Sequence, residues 1–522
     1  MATETSTGHE TADHETAGIA RLRAVLDPAL DVPGVLTGSD WTTWGQLGRC
    51  AESIAARLDE IGAGAGCPVV LVLRNRPSGV AALLGTLAHG RVPVLASSLH
   101  PAPQIRAIAV SAGAGAVVLD EEDHAAGLDR ELAAEGVGSV VIPSGSGEAV
   151  VSARTVAAAS EPAERRASAA IGGGVAMIVP TSGTTGAPKQ IPVRWEQIPF
   201  DPAAPIRRPH DPAQRPPVVQ ALSMATITGV RGVLAAVARE RSIALLERVD
   251  VEEWTKLVER FGVRRTGLPP AAMRMMLDAK VPPRRLLGME AWLTGSAPLE
   301  PGLQREFEEY FGVPVLVAYG STELGGSVAG WTLGLHREWR DRKLGSVGRA
   351  RAGVRLRIVD ESTGEPVPEG EPGILTVRSP ATAGTGDGWF RTSDRARIDA
   401  DGFLFILERA DDVVIRGGFK VSLGELEDLF RRHPAVLDAG AVGLPDERLG
   451  RLPAVGVVLG RETSVTADDL RAWAIERTAR YKVPRIAVVP SLPMGASHKV
   501  DRTKLAAVLG PLVGPDAAEG GA

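Results

Sequence analysis

Seven short, almost wholly apolar runs recur through the first 320 residues, and they constrain the fold more than any other feature of the chain. They are PVVLVL (Pro68 to Leu73), VPVLA (Val92 to Ala96), AVVLD (Ala116 to Asp120), SVVIP (Ser139 to Pro143), VAMIVP (Val175 to Pro180), SIALLE (Ser242 to Glu247) and VPVLVAYG (Val313 to Gly320). Stretches with helical spacing separate them, as with Leu47, Ile54, Leu58 and Ile61 ahead of the helix-breaking GAGAG at Gly62 to Gly66. A strand apolar at every position is covered on both faces, so this alternation predicts an α/β protein with doubly wound, mainly parallel sheets.

After Gly345 the alternation stops. VRLRIVD (Val354 to Asp360), GILTVRS (Gly373 to Ser379) and DGFLFILER (Asp401 to Arg409), joined by turn-rich segments, predict a small antiparallel or barrel-like unit. Beyond Arg409, the helix-like LGELEDLFRR and ADDLRAWAIERTARY alternate with strand-like runs, which predicts a compact α+β domain. The first 18 residues carry no apolar periodicity and read as a disordered tail.

Composition removes several function classes. The 522 residues carry a formal net charge of -5, so no broad positive field is available to hold nucleic acid. Cys50 and Cys67 alone make neither a disulfide framework nor a Cys-based zinc site, which fits a reducing compartment. No run reaches the ~18 apolar residues that span a bilayer, and the polar, acidic N-terminus is unlike a signal peptide; both point to the cytoplasm. Only eight of the 58 basic residues are lysines, so each Lys stands out.

The sharpest local motif is VPTSGTTGAPK, Val179 to Lys189, straight after an apolar strand. Hydroxyls of Thr181, Ser182, Thr184 and Thr185 crowd beside Gly183 and Gly186, whose turns aim backbone N–H groups into a concavity that Lys189 closes. Such a loop cradles a polyphosphate, although it differs from the G-x-x-x-x-G-K-[ST] phosphate loop.

This segment resembles the phosphate loop of the adenylate-forming superfamily of acyl-CoA synthetases, luciferases and peptide-synthetase adenylation domains. Further stretches resemble the family in order: GSAPL (Gly295 to Leu299) its adenine-side loop, YGSTE (Tyr319 to Glu323) its aromatic-Gly-x-Thr-Glu motif, TSD (Thr392 to Asp394) its T-G-D, ERADDVVIRGGFKVSLGELE its hinge, and LPMGASHKVDR its terminal lysine motif. The resemblance implies an N-terminal adenylation domain over 19–409, with its β-rich subdomain at 345–409, and a mobile C-terminal domain over 410–522 hinged near Asp411.

The resemblance also implies roles. Glu323 would ligate Mg²⁺, Thr322 would contact phosphate, and the Tyr319 ring would lie on adenine, with a structural Tyr as the alternative. Gly295, Ser296, Ala297, Gly320 and Ser321 would border the nucleotide, and Asp394 with Arg409 would hold the ribose. Lys499 would bridge carboxylate and α-phosphate. Gly417 and Gly418 would line the approach of CoA, unless they form an ordinary hairpin turn. Met224, Thr228, Gly229, Thr294, Leu324 and Gly325 would line the acyl pocket; being mostly small or apolar, with no Lys, Asp or His to pair with a second charge, they imply a bulky, largely hydrophobic monocarboxylic acid. The implied reaction is ATP-dependent formation of acyl-AMP, then transfer to CoA. Transfer to a carrier protein or partner enzyme is the alternative, mildly disfavoured because no region beyond Ala522 offers a fused carrier domain. A non-catalytic binding homologue is disfavoured by the retention of Lys189, Glu323, Asp394, Arg409 and Lys499 together. The chain departs from the family pattern at Gln190, Ser393, Glu408 and His498, each in place of a Gly, and LSMATITG (Leu222 to Gly229) lacks the usual His or aromatic.

Overall fold

A computed structural model describes residues 4–100, 102–145, 153–157, 174–181, 189–380, 382, 388–409, 413–416, 419–446, 450–460, 463–478, 482–495 and 499–513. The chain divides at Gly345/Ser346 into two compact units. This break coincides with the start of the β-rich subdomain, whereas the hinge expected near Asp411 lies outside the described residues.

In the first unit, seven strands form one sheet in the order Arg154–Ala157, Gly138–Ile142, Ala116–Asp120, Pro68–Leu73, Val92–Ser97, Val175–Thr181, Lys189–Arg194. The five inner strands run parallel and the two edges antiparallel. Successive side chains of a strand point to opposite faces, so Val69, Leu71 and Leu73 enter one core and Val70 and Val72 the other. That is why the run is apolar throughout. On one face the helix Trp44–Glu60 begins at a capping box: the Thr43 hydroxyl accepts the Gln46 N–H at 3.2 Å, and the Gln46 side-chain oxygen accepts the Thr43 N–H at 2.7 Å. A second sheet orders Val218–Gln220, Ile243–Leu245, Pro33–Thr37 and Asp40–Thr43. A third runs Arg265–Thr266, Ala291–Gly295, Val315–Ser321 and Gly326–Gly330.

The expected tail is instead helical over Glu4–Val25. Gly18, Arg21, Leu22 and Val25 recur at helical spacing and are all buried, and Gly18 packs so tightly that a Cβ there would lie 2.6 Å from the Trp195 ring. Arg21 donates to the Ala204 carbonyl at 3.0 Å. Of this stripe only Gly18 falls within the first 18 residues read as a tail, and Arg21, Leu22 and Val25 follow it. Both cysteines are buried, and burial pushes the Cys50 thiol up to about 12. Among the described residues no helix is long and apolar enough to cross a membrane.

The second unit opens with four antiparallel strands, Arg355–Val359, Gly373–Arg378, Phe390–Ile398 and Leu404–Arg409, as an open sheet rather than a closed barrel. A further sheet orders Phe419–Ser422, Val413–Arg416, Gly450–Leu459 and Val436–Asp446, with Arg485–Val488 parallel to Gly450–Leu459. Helices Leu423–Arg431 and Arg502–Val513 bury Leu426, Phe430, Leu505 and Leu509 against it.

Candidate active site

Gly295, Ser296 and Ala297, with Tyr319, Gly320 and Ser321, lie at the carboxyl ends of two neighbouring parallel strands, where open α/β sheets bind ligands. Ala291–Gly295 and Val315–Ser321 run side by side, with Thr294 opposite Val317 and Gly295 opposite Ala318. The loop after the first carries Ser296 and Ala297. Ser296 is exposed and holds φ at +66°, a left-handed conformation that few side chains adopt. Its hydroxyl lies 3.5 Å from that of Thr228 at the start of the helix Ile227–Ala238. The adenine-side loop and one wall of the expected acyl pocket therefore meet.

The loop after the second strand is a tight hairpin onto Gly326–Gly330, with Ser321 paired to Gly326. Thr322, Glu323, Leu324 and Gly325 form its tip, closed by the Gly325 N–H donating to the Thr322 carbonyl at 3.0 Å. Gly325 has φ +70° and Gly326 +120°, and a Cβ at Gly320 would stand 2.0 Å from the Gly326 carbonyl oxygen. Glycine is thus required on both sides of the Thr322–Glu323 pair. Tyr319, Thr322 and Glu323 are half-buried, so Tyr319 is not a core residue. Among the described residues no cluster of three His, Cys, Asp or Glu could hold a metal. A single carboxylate at Glu323 fits Mg²⁺, which commonly takes one or two carboxylates and completes its shell with substrate phosphate oxygens and water.

Thr181 and Lys189 face each other as the last and first paired residues of a hairpin. Ser182, Gly183, Thr184, Thr185 and Gly186 lie outside the described residues. Gln190, in place of glycine, donates through its side-chain amide to the Ser111 hydroxyl at 2.6 Å, tying this edge strand to the helix Ala102–Ser111.

Several expected pocket residues are buried and tied into the surrounding packing. Met224 is fully buried in the main core, its terminal methyl 3.1 Å from where a Gly79 Cβ would stand. Its N–H donates to the Asn75 side-chain oxygen at 3.0 Å, while the Asn75 amide donates to the Leu222 and Leu246 carbonyls. Gly229 is packed to within 1.9 Å, Cβ to oxygen, of the Ser223 carbonyl, and its N–H is capped by Thr226. Thr294 is buried and donates its hydroxyl to the Leu268 carbonyl at 3.0 Å. Leu324 is buried as well. Nor do the small residues leave free volume: Gln220 reaches to 2.2 Å from a Gly232 Cβ position, and Arg231 to 2.3 Å from that of Gly326. Motif reading looked for Lys, Asp and His in this region and overlooked Arg231. The available signal was its being the sole charge in ITGVRGVLAAVA. Asn75 and Gln220 carried no local signal, because they act across long sequence distances.

In the second unit, Asp394 and Arg409 are directly opposed on adjacent antiparallel strands. The Thr392 hydroxyl donates to the Leu375 carbonyl at 2.9 Å and accepts the Asp394 N–H at 3.0 Å, where the register of the strands Gly373–Arg378 and Phe390–Ile398 shifts. Arg416 pairs with Phe419 on adjacent antiparallel strands, and Gly417 and Gly418 lie outside the described residues. Lys499 is exposed on a loop pinched where the Gly495 N–H donates to its carbonyl at 2.7 Å. The helix that follows begins at Arg502, which donates to Glu427 at 3.3 Å.

Comparison with known proteins agrees with this arrangement. Residues 23–385 match the AMP-binding enzyme family and 425–499 the AMP-binding enzyme C-terminal domain. Triostin synthetase I of Streptomyces triostinicus is 31% identical over 491 residues, which is 89% of this chain and 89% of that protein. 4-coumarate–CoA ligase 5 of Oryza sativa subsp. japonica is 28% identical, over 90% of this chain and 89% of its own. In fold, ATP-bound MatB from Rhodopseudomonas palustris superposes with a TM-score of 0.75 at 22% identity, over 96% of this chain and 99% of that one. The strand-end loops, the Thr-Glu hairpin and the match along both domains lead to one conclusion: the chain belongs to the adenylate-forming AMP-binding enzymes.

Proposed function

We propose that the protein activates a carboxylic acid as its acyl-AMP, releasing pyrophosphate, and then transfers the acyl group to CoA. The observation that carries this reading is the meeting of Thr228 and Ser296 beside the Thr322–Glu323 hairpin at the carboxyl ends of adjacent strands.

Carboxylate attack on the α-phosphate brings two anions together, so the chain must supply positive charge and hydrogen-bond donors that hold the attack in line. Thr181 and Lys189 bracket the loop that would wrap the phosphates. Tyr319 would cover the adenine face, and the Asp394 carboxylate would accept both ribose hydroxyls. Glu323 would hold Mg²⁺, which when bound neutralises phosphate charge. Lys499 would place its ammonium where carboxylate and phosphate meet, stabilising charge that develops there. Rotation near Asp411 would then withdraw Lys499 and bring Gly417 and Gly418 to the thiol.

Similarity both to a protein named as a CoA ligase and to one named Triostin synthetase I keeps a second acceptor, a carrier protein or partner enzyme, as the other reading. The test is pyrophosphate release across a carboxylic-acid panel with ATP and Mg²⁺, followed by CoA-dependent thioester formation. Lys499→Ala should slow pyrophosphate release by about 10²-fold or more while leaving thermal unfolding unchanged. Wild-type release rates in that variant would sink the assignment, and acyl-AMP that accumulates in the wild type despite added CoA would favour the second acceptor.

A further inference from the structure

Lys499 stands on a short loop whose two ends are pinned to each other. Met494 and Val500 meet in an antiparallel bridge, the Gly495 N–H donates to the Lys499 carbonyl at 2.7 Å, and the Asp501 N–H donates to the Pro493 carbonyl at 2.8 Å. Asp501 then accepts the Lys504 N–H at 3.1 Å at the start of the helix Arg502–Val513, so the chain passes from loop to helix within three residues of Lys499. These bonds shape the loop. Where it stands on the domain depends on other contacts.

Two contacts seat it. Val500 packs on the strand Val436–Asp446 at Gly440, where a Cβ would stand 3.2 Å from a Val500 methyl, 2.9 Å from Leu505 and 3.3 Å from Leu492. On the other side of Asp501, Arg502 donates to Oε1 of Glu427, on the helix Leu423–Arg431, at 3.3 Å. The same oxygen accepts the N–H of Ala441, the residue after Gly440, at 2.9 Å. Glu427 thus joins the helix that carries it, the strand under Val500 and the exit of the lysine loop. Its side chain is only 13% exposed, and a charge-assisted bond shielded in this way holds its geometry better than a surface ion pair. Arg431, whose guanidinium lies 3.8 Å from the other carboxylate oxygen, is itself bonded to Asp438 at 3.0 Å and to the Ala439 carbonyl at 2.7 Å.

We infer that Glu427 is a positioning residue for adenylation: through Arg502 it sets the place from which the Lys499 ammonium reaches the reacting carboxylate and phosphate. Lys499 and Arg502 are three residues apart, and the bridged loop between them transmits a shift of one to the other. Displacing a reacting group by about 1 Å can cost about 10²-fold in rate. The inference rests on the adenylation reading above and adds to it a residue that acts only through its neighbours.

The experiment measures pyrophosphate release and, separately, CoA-dependent thioester formation from a synthetic acyl-AMP of the best acid, because only the first half-reaction calls on Lys499. Glu427→Gln should lower kcat for pyrophosphate release at least about tenfold, with KM for acid and ATP changed less than about twofold, while transfer from the acyl-AMP keeps its wild-type rate. Arg502→Met, which leaves the Glu427–Ala441 bond in place, should show the same split and decides the matter if Glu427→Gln does not fold. Arg502→Lys should recover part of the loss. In a Lys499→Ala background no ammonium is left to place, so Glu427→Gln should leave the residual release rate unchanged. A full further loss in that background would overturn the inference. So would an equal fall in both half-reactions, or wild-type release in either Glu427→Gln or Arg502→Met. Absence of pyrophosphate release with every acid, or wild-type release in Lys499→Ala alone, would instead refute the adenylation reading or its lysine.

Discussion

Gly320 shows how a single residue sets the geometry of the candidate site. A Cβ there would stand 2.0 Å from the Gly326 carbonyl oxygen, so any side chain must push the two strands of the hairpin apart. Thr322 and Glu323 ride on that hairpin. Gly320→Ala should cost roughly 1–3 kcal/mol of stability, the usual penalty of overpacking, and should depress pyrophosphate release more than the stability loss explains. Urea unfolding and the release assay together check this; full activity would mean that the hairpin tolerates displacement. The residue scale is also where the sequence was least legible. The motif residues were readable because the chemistry of a phosphate, a ribose and a metal limits the residue types that serve. Met224, Gly229 and Thr294 share the same stretches and yet serve packing, and nothing local distinguishes a small residue that leaves room from one that is pressed against a carbonyl.

Among the elements, Glu308 joins three. From the helix Pro301–Phe311, it accepts the Val315 N–H at 2.9 Å and hydrogen bonds from His336 at 2.8 Å and Arg340 at 2.6 Å, both on the helix Leu333–Lys343. Burial opposes its ionisation, but these donors prevail and hold its carboxyl below the ordinary range. A carboxylate depressed in the folded state contributes stability above its unfolded pKa and loses it as pH falls through the folded value. Glu308→Gln should therefore destabilise by about 1.5–3 kcal/mol near neutral pH, with the gap closing as pH falls below about 4. A gap that stays constant across that titration in urea would show that shape alone, not charge, matters there. Because Val315 begins the strand that leads to Tyr319, this clamp also anchors the base of the site. At this scale the sequence was informative: the runs at Pro68 to Leu73 and Ala116 to Asp120 form strands with those same bounds, since burial on both faces leaves a pattern that needs no partner to be recognised. The helix Glu4–Val25 escaped notice because its buried stripe is sparse and its partners, Trp195 and the Ala204 carbonyl, lie far along the chain.

For the molecule as a whole, the change of strand pattern after Gly345 was legible as the start of a β-rich subdomain within a domain expected to run to Arg409, and the compact units divide at Gly345/Ser346. The proposed rotation near Asp411 is a separate matter, since a hinge depends on a few backbone torsions that leave no compositional trace. Asp411→Pro, which fixes φ near -65°, should preserve pyrophosphate release and reduce CoA-dependent thioester formation at least tenfold, roughly the cost of withholding a required conformer. Equal loss of both steps would place the hinge elsewhere. The sealed cysteines offer a way to watch such a rotation directly. With both native thiols buried and the Cys50 thiol pushed up to about 12, the folded surface is silent to maleimide dyes. Cysteines introduced at the exposed Leu287 and Leu437, one on each unit, would then be the reactive pair, and a donor and acceptor fluorophore attached there would turn the natural chain into its own optical ruler without first stripping any residue from its core.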